Sequence, residues 1–317
     1  MSGADLDHLN DDELAQQVER IAVYARVSAE HKLRVVRAWK KQGAVVAMTG
    51  DGVNDAPAIK AADIGVAMGI TGTDVTKEAS DMVVTDDNFA SIAAAVEEGR
   101  GIYENIQKSI HFLLSINISL IILMLLATLL DLPLPLLPVQ ILWINLVTNG
   151  LPALALAMDP KDPDLMRRPP RSPNERILQP SGIRLMFGQG LFIALITITV
   201  FVFCLYGMDQ NIDRARTLTF TVVVLSQLFH AFNCRSDNRS LFAIGLLTNK
   251  PLLWTVGVSA GLQAMIVLFQ PVHSIFKVVP FDPEHWLLAF GVGILPLVTM
   301  ELWKAARKGA ESYSAPL

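Results

Sequence analysis

From Ile110 onward, apolar runs of membrane-spanning length recur six times, and this constrains the chain more than any other feature. Inside a bilayer every backbone N–H and C=O must find its partner within the protein, so runs of this length are helices. The first run is "IHFLLSINISLIILMLLATLL"; the others lie near 136–157, 184–207, 216–234, 251–270 and 285–304. Composition agrees: 52% of the 317 residues are hydrophobic and 18% charged, with a mean hydropathy of +0.41. Residues 1–109 are ordinary in composition, so the chain divides near His111. The expected organisation is an α/β domain over 1–87, a stalk helix over 88–109, six transmembrane helices over 110–305 and a tail over 306–317.

The loops "DPKDPDLMRRPPRSPNER" and "NCRSDNR" and the tail "WKAARKG" are basic, whereas "LDLPLP" and "PVHSIFKVVPFDPEH" are poor in Arg and Lys. The positive-inside rule therefore places both termini in the cytoplasm, consistent with an even number of spans. The default location is a plasma or inner membrane. "MSGADLDHLNDDEL" is acidic and is neither a signal nor a transit peptide. A net charge of −4 with no basic tract sets nucleic acid aside as a partner. Cys204 and Cys234 sit in or beside apolar stretches and read as packing residues.

Between residues 20 and 90, "IAVYAR", "AVVAMTGDG", "DIGVAM" and "DMVVT" read as strands separated by the helices "AEHKLRVVRAWKKQG", "NDAPAIKAA" and "TDVTKEAS". Strands linked by helices pair in parallel, and ligands of such sheets bind at the carboxyl ends of the strands. "MTGDGVNDAP" occupies one of those ends. Asp51 and Asp55, four positions apart at the start of a helix, suit Mg²⁺ and a phosphoryl group; an ordinary Asp-Gly turn is the alternative. Lys32 reaches the same edge to neutralise a phosphoryl oxygen, or is a solvated helix lysine.

The stretch "ARVSAEHKLRVVRAWKKQGAVVAMTGDGVNDAPAIKAADIGVAMGITGTDVTKEASDMVV" resembles the hinge region of P-type cation-transporting ATPases. The resemblance implies that 1–87 is part of a haloacid dehalogenase-like, Rossmann-like phosphorylation domain, and that ATP is the substrate and Mg²⁺ the cofactor. It assigns Asp51 as a Mg²⁺ ligand, Asp55 as support for the same metal, Asn54 to the phosphoryl group and Lys32 to its charge, with Thr49, Gly50 and Gly52 in the phosphate-proximal loop. Such chemistry works by positioning and by offsetting charge on the equatorial oxygens. Ala29 replaces the proline usual before this lysine. The 317 residues contain no "DKTGT", "TGES" or "PEGLP"-like segment, and their single "KGA", at 308–310, lies after the last apolar run and not in a nucleotide-binding segment. The phosphorylated aspartate and the nucleotide-binding domain are thus expected in an N-terminal portion, in cis or in trans.

"NFASIAAAVEEGRGIYENIQKSIHFLLSINISLIILMLLATLL" contains no proline and passes from charged to apolar. Roughly 40 residues of helix extend about 60 Å, twice a hydrocarbon core. In the resembled family this helix joins the phosphorylation domain to the transport sites. Polar residues inside spans are costly and suggest a functional lining. Asn117 and Ser119 fall in the first span; Asn145, Thr148 and Asn149 share neighbouring faces of the second, before Gly150 and Pro152 interrupt it. A broken helix exposes carbonyls to an ion; interhelical amide hydrogen bonds are the alternative.

The motif "NLVTNGLPA" resembles the "NLVTDGLPA" of Ca²⁺-type pumps, which implies cation binding by Asn117, Asn145, Thr148 and Asn149. Asn149 stands where aspartate is usual and Leu120 where two-site pumps carry glutamate, so one site is expected at most. Asp237, flanked by Arg235 and Arg239, reads as a salt-bridged loop residue. Two functions follow: the C-terminal part of an ATP-driven cation pump, with Ca²⁺ the candidate cargo, or a half-pump remnant that binds a partner without hydrolysing ATP.

Overall fold

The computed structural model describes residues 1–172, 175–208 and 211–313, with side chains through Arg307 in the last helix. The chain forms two compact units: Met1–Gly99 with Pro170–Asn174, and Arg100–Pro169 with Glu175–Leu317. Residues 314–317 of the expected tail lie outside the described residues.

The first unit opens with α1 (Gly3–Asp7), α2 (Asp11–Gln17) and α3 (Ala29–Lys41). Ser2, Asn10 and Ser28 cap them by accepting from backbone amides of the first turn, which satisfies donors that the helix itself cannot. Leu6, Leu14, Val18 and Ala38 form the small core between these helices. A three-stranded parallel sheet follows in the order β1 (Ala47–Gly50), β2 (Ile64–Met68), β3 (Met82–Val84). Thr49 pairs with Val66 and Val66 with Met82. Helices α4 (Ala56–Ala61) and α5 (Asp74–Ala79) make the two crossovers that parallel strands require.

One expected strand is absent. "IAVYAR" joins no strand of the sheet; its backbone bonds to the first residues of the chain, with the Ala25 amide donating to the Met1 carbonyl at 3.0 Å and the Gly3 amide to the Ala25 carbonyl at 3.1 Å. Its apolar pattern predicts an inner strand, yet Val23 is 69% exposed because no sheet neighbour covers it.

Among the described residues six helices are long and apolar enough to cross a membrane: Phe89–Leu129, Pro138–Leu156, Pro180–Met208, Ile212–Asn233, Lys250–Leu268 and Pro283–Arg307. They are called the first to sixth spans below. The fourth is the central one, with 83% of its apolar window buried against 22–44% for the others. Its Leu218, Phe220, Val222 and Val224 join Phe201 of the third span and Ala289 of the sixth in one core. Gly190 lets the first and third spans approach, since a Cβ there would lie 2.6 Å from the Ser115 carbonyl.

The second span is not broken at Gly150 and Pro152, as its sequence suggests. It continues from Pro138 to Leu156 through a π-helical turn at Ile144–Asn149. Pro152 has no amide to offer the carbonyl four residues back, on Thr148, and the chain accommodates this by widening one turn instead of unwinding.

Where the spans end, Asp159 collects four partners. Arg235 Nε and Asn249 Nδ2 donate to Oδ1 at 2.8 Å each, Lys108 Nζ donates to Oδ2 at 2.8 Å, and Asn105 Nδ2 donates to the backbone carbonyl at 2.7 Å. Arg235 is fully buried and places its other donors on the Gly245 carbonyl and the Thr248 hydroxyl. Arg235 is therefore not the partner of Asp237, nor is Arg239, which pairs with Asp162; Asp237 instead lies 3.4 Å from His111 Nδ1. Replacing Asp159 with Ala strips the buried Arg235 and the partly buried Lys108 of their counter-charge and should lower stability by about 3–5 kcal/mol. Thermal unfolding of the full chain in detergent checks this, and an unchanged midpoint would count against the cluster.

Candidate functional sites

The loop after β1 is shaped by one close approach. A Cβ on Gly50 would lie 2.5 Å from the Asp55 Cβ and 2.7 Å from its Cγ, so only glycine lets the Asp55 carboxylate fold back beneath the strand end. A 3₁₀ turn, Val53–Asp55, leads into α4. Asp55 is buried, takes a hydrogen bond from Lys32 Nζ on one oxygen and from the Gly52 amide, at 3.3 Å, on the other. Lys32 is thus an ion-paired residue of the first turn of α3 and not a solvated one. Burial opposes the charged form of Asp55, but the Lys32 hydrogen bond, the Gly52 amide and the Lys32 charge outweigh it and hold the pKa below the ordinary 3.8.

Asp51 and Asn54 are exposed at the same strand end. The Asp51 carboxylate has no hydrogen bond or ion pair among the described residues, while its backbone is fixed: the Thr73 amide and the buried Thr76 hydroxyl donate to its carbonyl at 3.0 and 3.2 Å. Sequence reasoning passed over these two threonines; the signal was Thr73 as the N-cap of α5. Asp87, after β3, accepts from the Ile70 and Thr71 amides at 2.9 and 2.8 Å. These bonds bring its pKa to about 2 and tie down the loop at the end of β2. Thr49, at the end of β1, pairs with Val66 and is half-buried.

In the second unit, the π turn brings Asn145, Thr148 and Asn149 together, with Asn149 Nδ2 donating to Asn145 Oδ1 at 3.2 Å. Thr148 and Asn149 are each 1% exposed, and Thr148 Oγ1 and Asn149 Oδ1 have no hydrogen-bond partner among the described residues. Asn117 is placed differently: it is exposed on the first span and donates to the Leu113 carbonyl at 2.7 Å. No hydrogen bond joins it to the other three among the described residues. Leu120 is buried in the apolar core. The fifth span meets the π turn through Ser259, whose hydroxyl lies 3.5 Å from the Val147 carbonyl, and meets the fourth through Gln263 and Thr221 at 3.4 Å. Ser226, Gln227 and Gln263 also carry buried polar atoms without partners. Sequence analysis missed these; "LSQLF" within an apolar helix was the available signal.

Residues 133–306 match the family model described as cation transporting ATPase, C-terminus. The chain belongs to the P-type cation-transporting ATPases. Residues 2–63 and 33–96 match models described as haloacid dehalogenase-like hydrolase, which agrees with the parallel sheet. A calcium-transporting ATPase of Bacillus subtilis is 48% identical over 93% of this chain and 33% of its own length. Calcium-transporting ATPase 1 of Bacillus cereus is 46% identical over 97% of the chain and 36% of its own length. Calcium-transporting ATPase type 2C member 1 of Bos taurus is 40% identical over 100% of the chain and 33% of its own length. The chain thus spans about a third of the length of the curated relatives it matches.

The loop after β1 fits a hard cation of the kind this family implies. It presents an unengaged carboxylate, Asp51, on a backbone held rigid from behind, beside a second carboxylate already neutralised by Lys32. Among the described residues no cluster of three or more His, Cys, Asp or Glu is present, so any ion there relies on further oxygens from water or phosphate.

The Lys32–Asp55 pair has a signed pH dependence. A carboxyl whose folded pKa is depressed contributes stability that is complete above its unfolded value and is lost as pH falls through the folded one. Lys32→Met leaves Asp55 buried with one amide partner and costs about 1–3 kcal/mol locally. It also moves the acid loss to higher pH. Hydrogen exchange at the Gly52 amide of the full chain, followed between about pH 3 and pH 7, reports both; identical profiles in the two proteins would exclude the pair as the determinant. Gly50→Ala should raise exchange at the same amide at every pH, because the methyl group displaces Asp55.

Proposed function

We propose that this chain supplies part of the phosphorylation domain and the last six membrane helices of an ATP-driven cation pump, with Ca²⁺ as cargo at a single site. The observation that carries this reading is the strand-end loop, where an exposed Asp51, an exposed Asn54 and a Lys32–Asp55 pair stand together at the carboxyl edge of a parallel sheet. Ligands bind at that edge in α/β proteins. The cargo is carried over from relatives whose names describe calcium transport.

In this reading Asp51 binds Mg²⁺ directly. Asp55, with both oxygens already engaged, supports the same metal by holding Lys32 and the loop in place. When bound, Mg²⁺ offsets negative charge on the transferred phosphoryl group. Lys32 adds a second positive charge at the same edge, and the Asn54 amide donates to a phosphoryl oxygen. Thr49, Gly50 and Gly52 supply the backbone around the phosphate. The accepting aspartate and the ATP-binding domain come from the remaining portion of the pump, in the same polypeptide or another. In the membrane, Asn145, Thr148 and Asn149 offer neutral oxygens to the cation, and Asn117 joins them only by a rearrangement of the first span. Both termini face the cytoplasm of a plasma or inner membrane, since the basic loops lie on that side.

A second reading is a membrane subunit that binds a partner without hydrolysing ATP. Phosphorylation separates the two. In a complete pump carrying this chain, Asp51→Asn should lower phosphoenzyme formation by at least about a hundredfold, the scale of a lost electrostatic contact in the transition state, with membrane insertion intact. Normal phosphorylation of that variant would refute the metal role. Asn149→Asp should strengthen the divalent-ion dependence of hydrolysis, because a carboxylate balances more of a double charge than an amide. An unshifted dependence would remove Asn149 from the ligand set.

A further inference from the structure

A cavity of about 320 Å³ lies between the third, fourth and sixth spans. Its volume is at the lower end of the range of ligand pockets. Leu185, Phe192, Ile193 and Met300 form its walls, and Trp303 and Arg184 stand at the span ends beside it. Gly188 contributes width, since a Cβ at that position would meet nothing within 4 Å.

The polar groups of this cavity are unequal. On its floor, Gln189 Oε1 is bonded to His111 Nε2 at 2.7 Å, Gln189 Nε2 rests on the Met300 sulfur at 3.4 Å, and His230 Nε2 is bonded to Ser115 Oγ at 2.8 Å. The Thr299 hydroxyl donates to the Leu295 carbonyl of its own helix at 2.8 Å. The floor and wall therefore ask little of a ligand beyond apolar contact. Arg184 is the opposite case: it is exposed, and its guanidinium makes no hydrogen bond or ion pair among the described residues. Trp303 carries a second guanidinium, Arg307, 5.6 Å above its ring. Tryptophan and arginine at span ends mark the headgroup level of a bilayer.

We propose that this cleft binds an anionic phospholipid, with the lipid phosphate on Arg184 and one acyl chain between Leu185, Phe192, Ile193 and Met300. An unpaired cation at the headgroup level above an apolar slot complements an amphiphile with a negative head. Inorganic phosphate would find the cation but gain nothing from the slot. In the orientation proposed above, on which this inference rests, the basic ends of the spans lie on the side where anionic lipids concentrate, and basic pockets between spans hold such headgroups.

The test uses the full chain purified in mild detergent and given equal amounts of phosphatidylglycerol and phosphatidylcholine, with retained lipid counted by native mass spectrometry. Phosphatidylglycerol should be retained at least about fivefold over phosphatidylcholine, the discrimination expected of one favourable basic contact. Arg184→Gln should bring the two lipids to parity. Gly188→Leu, which fills the slot without touching the guanidinium, should lower retention of both, and Gly188→Ala should do so more weakly if the larger side chain prevents folding. Equal retention by the native chain would overturn the proposal. So would loss in Arg184→Gln with no loss in either Gly188 variant, which would reduce the site to a surface headgroup contact, or displacement of the lipid by millimolar inorganic phosphate, which would make it a free-anion site.

Discussion

The membrane unit depends on Asp159. Apolar side chains do little to fix one transmembrane helix against another, since lipid is as good a surrounding as a neighbouring leucine. Register along the membrane normal must come from somewhere else. Here one buried carboxylate takes Lys108 from the first span, Arg235 just beyond the fourth and Asn249 at the cap of the fifth, and its own residue stands three positions past the end of the second. Four of the six spans are thereby fixed at one level by contacts that tolerate no slippage of a helical turn. A buried ion pair adds little stability over a well-packed apolar contact, because desolvation offsets most of the attraction. Its value here is specificity: any other register leaves two cations and a carboxylate unpaired.

The same reasoning explains what could be read from the sequence. The six spans follow from length and hydropathy, which are local, and the three paired strands follow from alternation with helices. The strand-end turn followed from the spacing of two glycines and two aspartates. What was not legible depended on partners far away in the chain. Arg235 looks like a neighbour of Asp237, but its partner lies 76 residues earlier. "IAVYAR" has the composition of an inner strand, but strand status depends on what lies beside it, and what lies beside it is the start of the chain. Gly150 and Pro152 read as a break in the second span, yet the helix runs on through both; whether a helix answers proline by unwinding or by widening depends on the packing around it, which a local sequence pattern does not carry.

The two candidate sites sit at opposite extremes of dielectric environment, and their residues differ accordingly. At the strand end, charge is plentiful and water is near: Asp55 remains ionised because Lys32 and an amide hold it, and Asp51 stays exposed and unengaged. In the spans, carboxylates are missing from the π turn. Thr148 and Asn149 instead present neutral oxygens, buried and without partners, and Gln227 and Gln263 do the same on the adjoining fourth and fifth spans. An unpaired polar atom in such surroundings costs of order 1–3 kcal/mol, so a chain selected for stability alone would place leucine there.

That cost is informative about the proposed transport site. Neutral oxygens can be desolvated cheaply and refilled by water when no cation is present, whereas a buried carboxylate without its ion would be protonated or would destabilise the fold. A site built from Thr148, Asn145 and Asn149 therefore tolerates being empty better than one built on aspartate, and it holds a divalent ion less tightly because less of the charge is balanced. In the proposed pump, faster release and weaker retention would both follow from an amide standing in place of a carboxylate. The π turn adds to this, since a widened turn loosens the hydrogen bonding of the carbonyls around Thr148 and leaves them able to supplement the side chains. In this arrangement the departure from the acidic motif shifts the burden of charge balance from the second span to whatever else surrounds the ion, and it does so without disturbing the Asp159 cluster that fixes where the second span ends.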